Sequence, residues 1–287
     1  MKTFTKWMTY LNERSPLPAL IFISSGIALS GMAYVGSFDL TIFFLGIILN
    51  VIVLIQMRLG DEIKDFEKDK IMHPNRPLPR GLLTVREVYL VLVAVFIIIL
   101  ISGLIIGARL SWWGGLSLLS TTVFAWLMFK EFYVGHFLSK EPLTYAFTHQ
   151  LIVFPIHAWV ALTMDTTLKD QRLFIGWLLA NFGASFTFEL CRKLDPNAHI
   201  LAGTYAQHYG RPLTALFLAV FVMISAYGTF LADYHTIAWP LLSLLIIMAI
   251  TWVVRPMLYK VVFGLSALSS TFILWTPAFK WLISRWG

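Results

Sequence analysis

A single cysteine, Cys191, stands in this 287-residue chain, so no disulfide can close within it and no Cys-rich metal cluster is available. Charge is scarce as well. Asp, Glu, Lys and Arg make up 13% of residues against 58% hydrophobic, and mean hydropathy is +0.76. Soluble domains carry about a quarter charged residues, so composition excludes an ordinary water-soluble enzyme. Long polar stretches are missing too, which leaves no room for a separate soluble domain. The segment from Met1 to Pro16 has lysines and an arginine but no cleavage-type signal, so the first apolar stretch is expected to be a retained helix. Nucleic acid is excluded as a partner because the basic residues sit in short loops between apolar runs. The net charge of +7 suits contact with anionic lipid headgroups instead.

What is there is length of apolar sequence. Stretches able to span a bilayer fall at 17–36, 40–57, 87–107, 112–129, 143–163, 173–191, 213–231, 236–254 and 258–279. The expectation is an all-α polytopic membrane protein: nine transmembrane helices in one domain over 1–287, with a cytoplasmic helical cap after helices 2 and 6. Basic residues set the orientation. With the N-terminus in the cytoplasm, 17 Lys and Arg fall on that side and five on the other, namely Arg109, Lys169, Arg172, Lys280 and Arg285. Of the 15 acids, 11 share the cytoplasmic face, an asymmetry that the topology rule does not require. In a bacterium the membrane would be the plasma membrane.

Five carboxylates crowd nine residues, Asp61-Glu62-Ile63-Lys64-Asp65-Phe66-Glu67-Lys68-Asp69, at the end of the second apolar stretch. On a continuous helix Glu62, Asp65 and Asp69 share an arc of roughly 60°, Asp61 widens it to about 100°, and Glu67 points away. Like charges this close repel unless cations occupy the cluster. Oxygen-only ligands suit a hard divalent ion, Mg²⁺ above all, bridging carboxylates to substrate phosphates. The plain alternative is a solvated acidic helix end laced by Lys64, Lys68 and Lys70. A turn with three prolines follows, His73-Pro74-Asn75-Arg76-Pro77-Leu78-Pro79-Arg80-Gly81, and its fixed φ angles should hold Arg76 and Arg80 near the acids. The connection after helix 6 also mixes signs, with Glu189, Arg192, Lys193 and Asp195 before Pro196. Two charged connections four helices apart suggest a weak repeat of four-helix units.

These motifs resemble the UbiA superfamily of intramembrane prenyltransferases, which have nine transmembrane helices and Asp-rich motifs at the ends of helices 2 and 6. The family's Asn-Asp-x-x-Asp-x-x-x-Asp is similar to residues 61–69, with Asp61 for Asn and Glu62 for the first Asp. Asn75-Arg76-Pro77-Leu78-Pro79-Arg80-Gly81 looks like the family's Asn-Arg-Pro-Leu-Pro-x-Gly, the most specific match. Gly203-Thr204 with Gly210 is similar to the run leading into helix 7. The resemblance implies Mg²⁺-dependent transfer of a prenyl group from a prenyl diphosphate to a lipophilic or amphipathic acceptor, aromatic ones included, in isoprenoid biosynthesis. It also implies a cytoplasm-facing cavity with the isoprenoid tail among the helices. Glu62, Asp65 and Asp69 are then the metal ligands, with Asp61 orienting or ligating and Glu189 and Asp195 serving the second motif. Arg76, Arg80, Lys130, Arg192 and Lys193 would take the diphosphate, and Asp65, Asp69, Lys130 and Glu189 would act in catalysis.

The second motif departs from the family pattern. Four residues after Glu189 stands Lys193, a cation, and Asp195 precedes a proline and so should leave the helix. Either the second site holds its metal with fewer carboxylates, or Lys193 and Arg192 replace part of the metal's charge and contact the diphosphate directly, the reading favoured here. His149 and His157, eight residues apart, would lie roughly 80° and ~12 Å apart on a helix, which excludes joint metal binding. Glu131 is an ion-pair partner for Lys130 or an acceptor base. Tyr145, Tyr205 and Tyr209 either line a cavity or belong to the interfacial belt. Three other functions share parts of the pattern: a terpene cyclase, a phosphoribosyl transferase acting on a polyprenyl phosphate, and a transporter. Against the transporter, charge is nearly absent from the helix middles.

Overall fold

The computed structural model describes residues 3–165, 170–199 and 203–286, so Lys2 and Lys169 of the topology count lie outside it. Its helices are α1 (Thr3–Arg14), α2 (Leu17–Val35), α3 (Leu40–Lys64), α4 (Phe66–Met72), α5 (Val85–Arg109), α6 (Trp112–Phe129), α7 (Gly135–Leu138), α8 (Pro142–Gln150), α9 (Val153–Met164), α10 (Gln171–Cys191), α11 (Tyr205–Tyr209), α12 (Arg211–Leu231), α13 (His235–Val254) and α14 (Tyr259–Trp286). Among the described residues nine segments are long and apolar enough to cross a membrane. The chain is an all-helical, multi-pass integral membrane protein.

Local sequence explains where the helices begin. Asp39, Ser111 and Asp170 each accept an amide of the first turn of α3, α6 and α10. Thr84 and Glu87 close a reciprocal capping box on α5, and Thr204 and Gln207 do so on α11. The fifth span is not one helix. It breaks at Leu151 and Ile152, between α8 and α9, because Pro155 has no amide to return to the Leu151 carbonyl.

The chain divides into two compact units. The first comprises Met1–Met32, Ser37–Gly135 and Ala158–Thr166. Within it α5 and α6 pack together, and the indole of Trp159 donates to Asn50 Oδ1 at 2.8 Å in a fully buried pair. Gln56 and Thr122 exchange side-chain hydrogen bonds, Nε2 to the Thr122 carbonyl at 3.1 Å and Thr122 Oγ1 to Oε1 at 2.9 Å. Such pairs satisfy polar groups that lipid cannot. Toward the acidic end, Tyr10, Leu59, Leu78, Leu83, Val88 and Leu92 form a buried apolar cluster.

The second unit comprises Ala33–Gly36, His136–His157 and Thr167–Gly287. Its spine is α10 against α12, brought close by small residues. Ser225 Oγ donates to the Ala180 carbonyl at 2.9 Å, and the Phe186 and Phe221 rings stack at 3.5 Å.

Candidate active site

In the first unit the acidic run begins as the last turn of α3 and continues as α4. The two are separated at Asp65, whose φ of −88° and ψ of 2° leave the helical region. Amide-to-carbonyl bonds still link Asp61, Asp65, Asp69 and His73 in steps of four, at 2.9, 2.8 and 2.8 Å. The expected arc of carboxylates is therefore only locally bent, but its members meet different partners. Asp61 is half exposed and pairs with Lys64 at 3.2 Å. Glu62 is buried, and its Oε1 accepts from Arg14 Nε at 2.5 Å. Asp69 is buried as well, and both its oxygens accept from Arg76 Nη1 at 2.7 Å. Glu67 faces water beside Lys70.

Among the described residues, Asp65 is the acid of this run with no Lys or Arg in ion-pair contact. Burial first, then the neighbouring Asp61, push its carboxyl above the usual value; Asp69 adds to this while Lys64 and Lys68 oppose it.

The proline-rich turn does hold Arg76 on the acidic face, but Arg80 goes elsewhere. Leu78 anchors the turn by burying itself in the apolar cluster with Tyr10 and Leu59. Gly81 closes it at φ +77°, which favours glycine. Arg80 then reaches the amino-terminal helix, donating to both oxygens of Glu13 at 2.8 and 2.9 Å and to the Asn75 carbonyl at 2.8 Å. A polar cavity of about 330 Å³ lies between the end of α1 and this turn, lined by Glu13, Arg14, Met72, His73, Pro74, Asn75, Arg76 and Pro77. Sequence reasoning missed Arg14 and α1 altogether. Nothing near Arg14 in the chain signals a pairing 48 residues away.

Lys130 ends α6, with its ammonium 4.5 Å from the Phe129 ring and 5.9 Å from that of Trp126. Phe129 packs over Gly60, which brings this helix end beside the start of the acidic run. Directly after Lys130, Glu131, Phe132 and Tyr133 all adopt positive φ, 49°, 53° and 59°. Three consecutive non-glycine residues in the left-handed region are strained, and no sequence signal announced them.

In the second unit Glu189 supplies its own cations. Its Oε2 accepts from Arg192, Nη2 at 2.6 Å and Nε at 2.8 Å, and its Oε1 lies 3.1 Å from Lys193 Nζ. Lys193 also sits over the Tyr205 ring at 5.3 Å. Tyr205 is fully buried, its hydroxyl has no hydrogen-bond partner among the described residues, and burial followed by the nearby Glu189 pushes its pKa well above the usual phenol value. Asp195 lies beyond α10, and its Oδ1 accepts from the Asn197 amide at 2.9 Å, a local turn. Tyr209 Oη accepts from the Leu143 amide at 3.2 Å, and Tyr145 stacks on His149 at 4.0 Å. His157 is buried edge-on to Trp177 and bonds the Val153 carbonyl at 2.8 Å. An apolar cavity of about 650 Å³ follows the break between α8 and α9, walled by Phe147, Leu151, Phe154, Phe182 and Tyr227 with neighbours on α10 and α12.

Against known proteins, the UbiA prenyltransferase family model matches residues 19–279. A solved structure of digeranylgeranylglyceryl phosphate synthase superposes with a TM-score of 0.64 at 17% identity, covering 98% of each chain, a likeness of fold. No curated protein matches the sequence.

Proposed function

Because this chain belongs to the UbiA prenyltransferase family, and so transfers prenyl groups within membranes, we propose that it does so in a Mg²⁺-dependent reaction. A prenyl diphosphate is the donor and a lipophilic or amphipathic acceptor receives the prenyl group. The observation carrying this reading is Asp65: a half-buried carboxyl, repelled by Asp61 and Asp69, at a helix break one turn from the Asp69–Arg76 pair.

The donor set fits Mg²⁺ as a bridge rather than as a caged ion. Among the described residues no three His, Cys, Asp or Glu side chains gather closely enough to hold a metal by themselves. Mg²⁺ commonly takes one or two carboxylates and completes its shell with phosphate oxygens and water. Asp61, Asp65 and Asp69 are the proposed holders at the first motif, and Glu189 at the second. When bound, the ion would neutralise charge developing on the departing diphosphate. Glu62 and Asp195 are left out of this set, because the Glu62 side chain is wholly enclosed behind Arg14 and Asp195 lies in a local turn beyond the end of α10.

The chain's own residues supply orientation and charge. Arg76 offers a planar fork to phosphate oxygens while Asp69 fixes its direction. Arg192 and Lys193 bring two cations to the second motif, where the family pattern has acids. Lys130 stands beside the start of the acidic run as a further contact for the diphosphate, whereas Arg80 is held on Glu13. The 17-to-five distribution of basic residues supports a cytoplasmic site.

Purified protein with Mg²⁺ and a panel of labelled prenyl diphosphates tests the proposal. Metal-dependent transfer to an acceptor is expected. Diphosphate release without any acceptor would redirect the reading to a cyclase, and inertness toward every diphosphate would overturn it.

A further inference from the structure

Directly after α6 the chain makes a turn that the metal-and-diphosphate reading does not account for. Glu131, Phe132 and Tyr133 all lie at positive φ. Three side-chain-bearing residues persist there in succession only where surrounding contacts enforce it. Two main-chain bonds close the turn, from the Tyr133 amide to the Lys130 carbonyl at 2.9 Å and from the Val134 amide to the Glu131 carbonyl at 3.0 Å. The Phe132 ring hooks it back onto α6 through an edge contact with Phe124, centroids 5.3 Å apart.

The turn separates two charges. Lys130 and Glu131 are chain neighbours of opposite sign, yet among the described residues neither is in ion-pair contact with any partner. The Lys130 ammonium runs back along α6 onto the Phe129 and Trp126 rings. The Glu131 side chain goes the other way, and its carboxylate fills the place that a Cβ on Gly135 would take.

We propose that this left-handed turn is a positioning device for Lys130: it seats the Glu131 carboxylate on Gly135 and so keeps the ammonium free of its nearest counter-ion, open to an incoming anion. The aromatic faces under Lys130 steady the cation without neutralising it. Pairing with Glu131 would occupy the ammonium for part of the time and weaken anion binding by that fraction. Gly135 is required for its missing side chain and not for its backbone, since it is not one of the glycines at positive φ. Glu131 acts only through Lys130 and is a positioning residue. That the anion is the donor's diphosphate rests on the function proposed above.

Full-length protein in detergent, acylated briefly with acetic anhydride and read peptide by peptide in a mass spectrometer, reports whether Lys130 is paired. A carboxylate in contact holds an ammonium in its protonated, unreactive form, and the exposed Lys140 serves as internal reference. Gly135→Ala displaces the Glu131 carboxylate and should slow Lys130 acylation about two- to fivefold, the reach of a part-exposed ion pair. Gly135→Ala/Glu131→Gln should restore the wild-type rate, because the displaced side chain no longer carries charge. If Gly135→Ala does not fold, Tyr133 gives an independent route, since its side chain is exposed. Tyr133→Val puts a β-branched residue where φ is +59°, drives the turn out of the left-handed region and should slow acylation likewise. Tyr133→Asn tolerates that region and should leave the rate unchanged. Wild-type acylation in both Gly135→Ala and Tyr133→Val, a slowing that Glu131→Gln does not reverse, or equal slowing in Tyr133→Asn would each overturn the inference. Mg²⁺ with pyrophosphate should protect Lys130 in the wild type. Acylation that follows the variants but is not protected would support the turn's role and overturn Lys130 as a diphosphate contact, so the two readings fail separately.

Discussion

Replacing Gly183 by alanine should loosen the second unit, and the structure gives the size of the effect. A Cβ at that position would lie 2.5 Å from the Ser225 amide nitrogen and 2.6 Å from the Phe221 carbonyl oxygen. Both are backbone atoms of α12, so no side chain can swing aside. Ordinary contact needs about 3.5 Å or more, so α10 and α12 must part by about 1 Å. That separation strains the Ser225–Ala180 hydrogen bond and the stacked Phe186–Phe221 pair. Overpacking of this kind costs about 1–3 kcal/mol, roughly a 5- to 150-fold change in the folded-to-unfolded ratio. The chain contains its own reporter: Cys191, the sole cysteine, is buried at the end of α10. Labelling by a thiol-reactive dye in mild detergent should therefore accelerate in Gly183→Ala. Gly264→Ala is the contrast, because its Cβ meets nothing within 4 Å and alanine is the better helix former. Equal labelling of Gly183→Ala and wild type, or acceleration in Gly264→Ala as well, would refute the packing argument.

Two further outcomes concern the first unit. Asp65 binds its proton more tightly in the folded, metal-free protein than in the unfolded chain, because burial and Asp61 raise its value. Its charge is therefore a cost at neutral pH, relieved as pH falls through the raised value and gone below the ordinary carboxylate range. Asp65→Asn should stabilise the protein in EDTA at neutral pH, flatten that slope and abolish stabilisation by Mg²⁺ with pyrophosphate; thermal melts across pH read all three, and an unchanged slope would count against the assignment. Asn50→Leu leaves the Trp159 indole N–H buried without its acceptor, at a cost of about 1–3 kcal/mol. Adding Trp159→Phe should recover most of that loss, and a double-mutant cycle showing no coupling would place the energy elsewhere.

The spans were legible because each is long, apolar and nearly free of charge, and a bilayer tolerates little else. The apolar runs do not mark the local caps Thr84 with Glu87 and Asp170, so α5 and α10 each begin two residues before the stretch that hydropathy outlines. The break in the fifth span was not read, although Pro155 marks it, because the apolar run continues through Leu151 and Ile152 without interruption. The acidic run and the proline-rich turn stood out through composition alone. Their pairings did not: Arg76 found Asp69 seven residues away, whereas Arg80, only four residues further on, turned to Glu13.

By itself the amino-acid order determined that this chain lives in a membrane, that its helices are apolar, and that acids and arginines concentrate between the second and third spans. Those properties follow from solvent transfer and from neighbours in the chain, so tertiary contacts are not needed to read them. Only the folded structure decided which acids Arg14, Arg76 and Arg80 neutralise, that Asp65 is half-buried beside two other acids, and that the end of the amino-terminal helix meets Glu62. Charge pairing depends on through-space distance, and a segment joined by dozens of residues to its partner carries no mark of that proximity in its own composition.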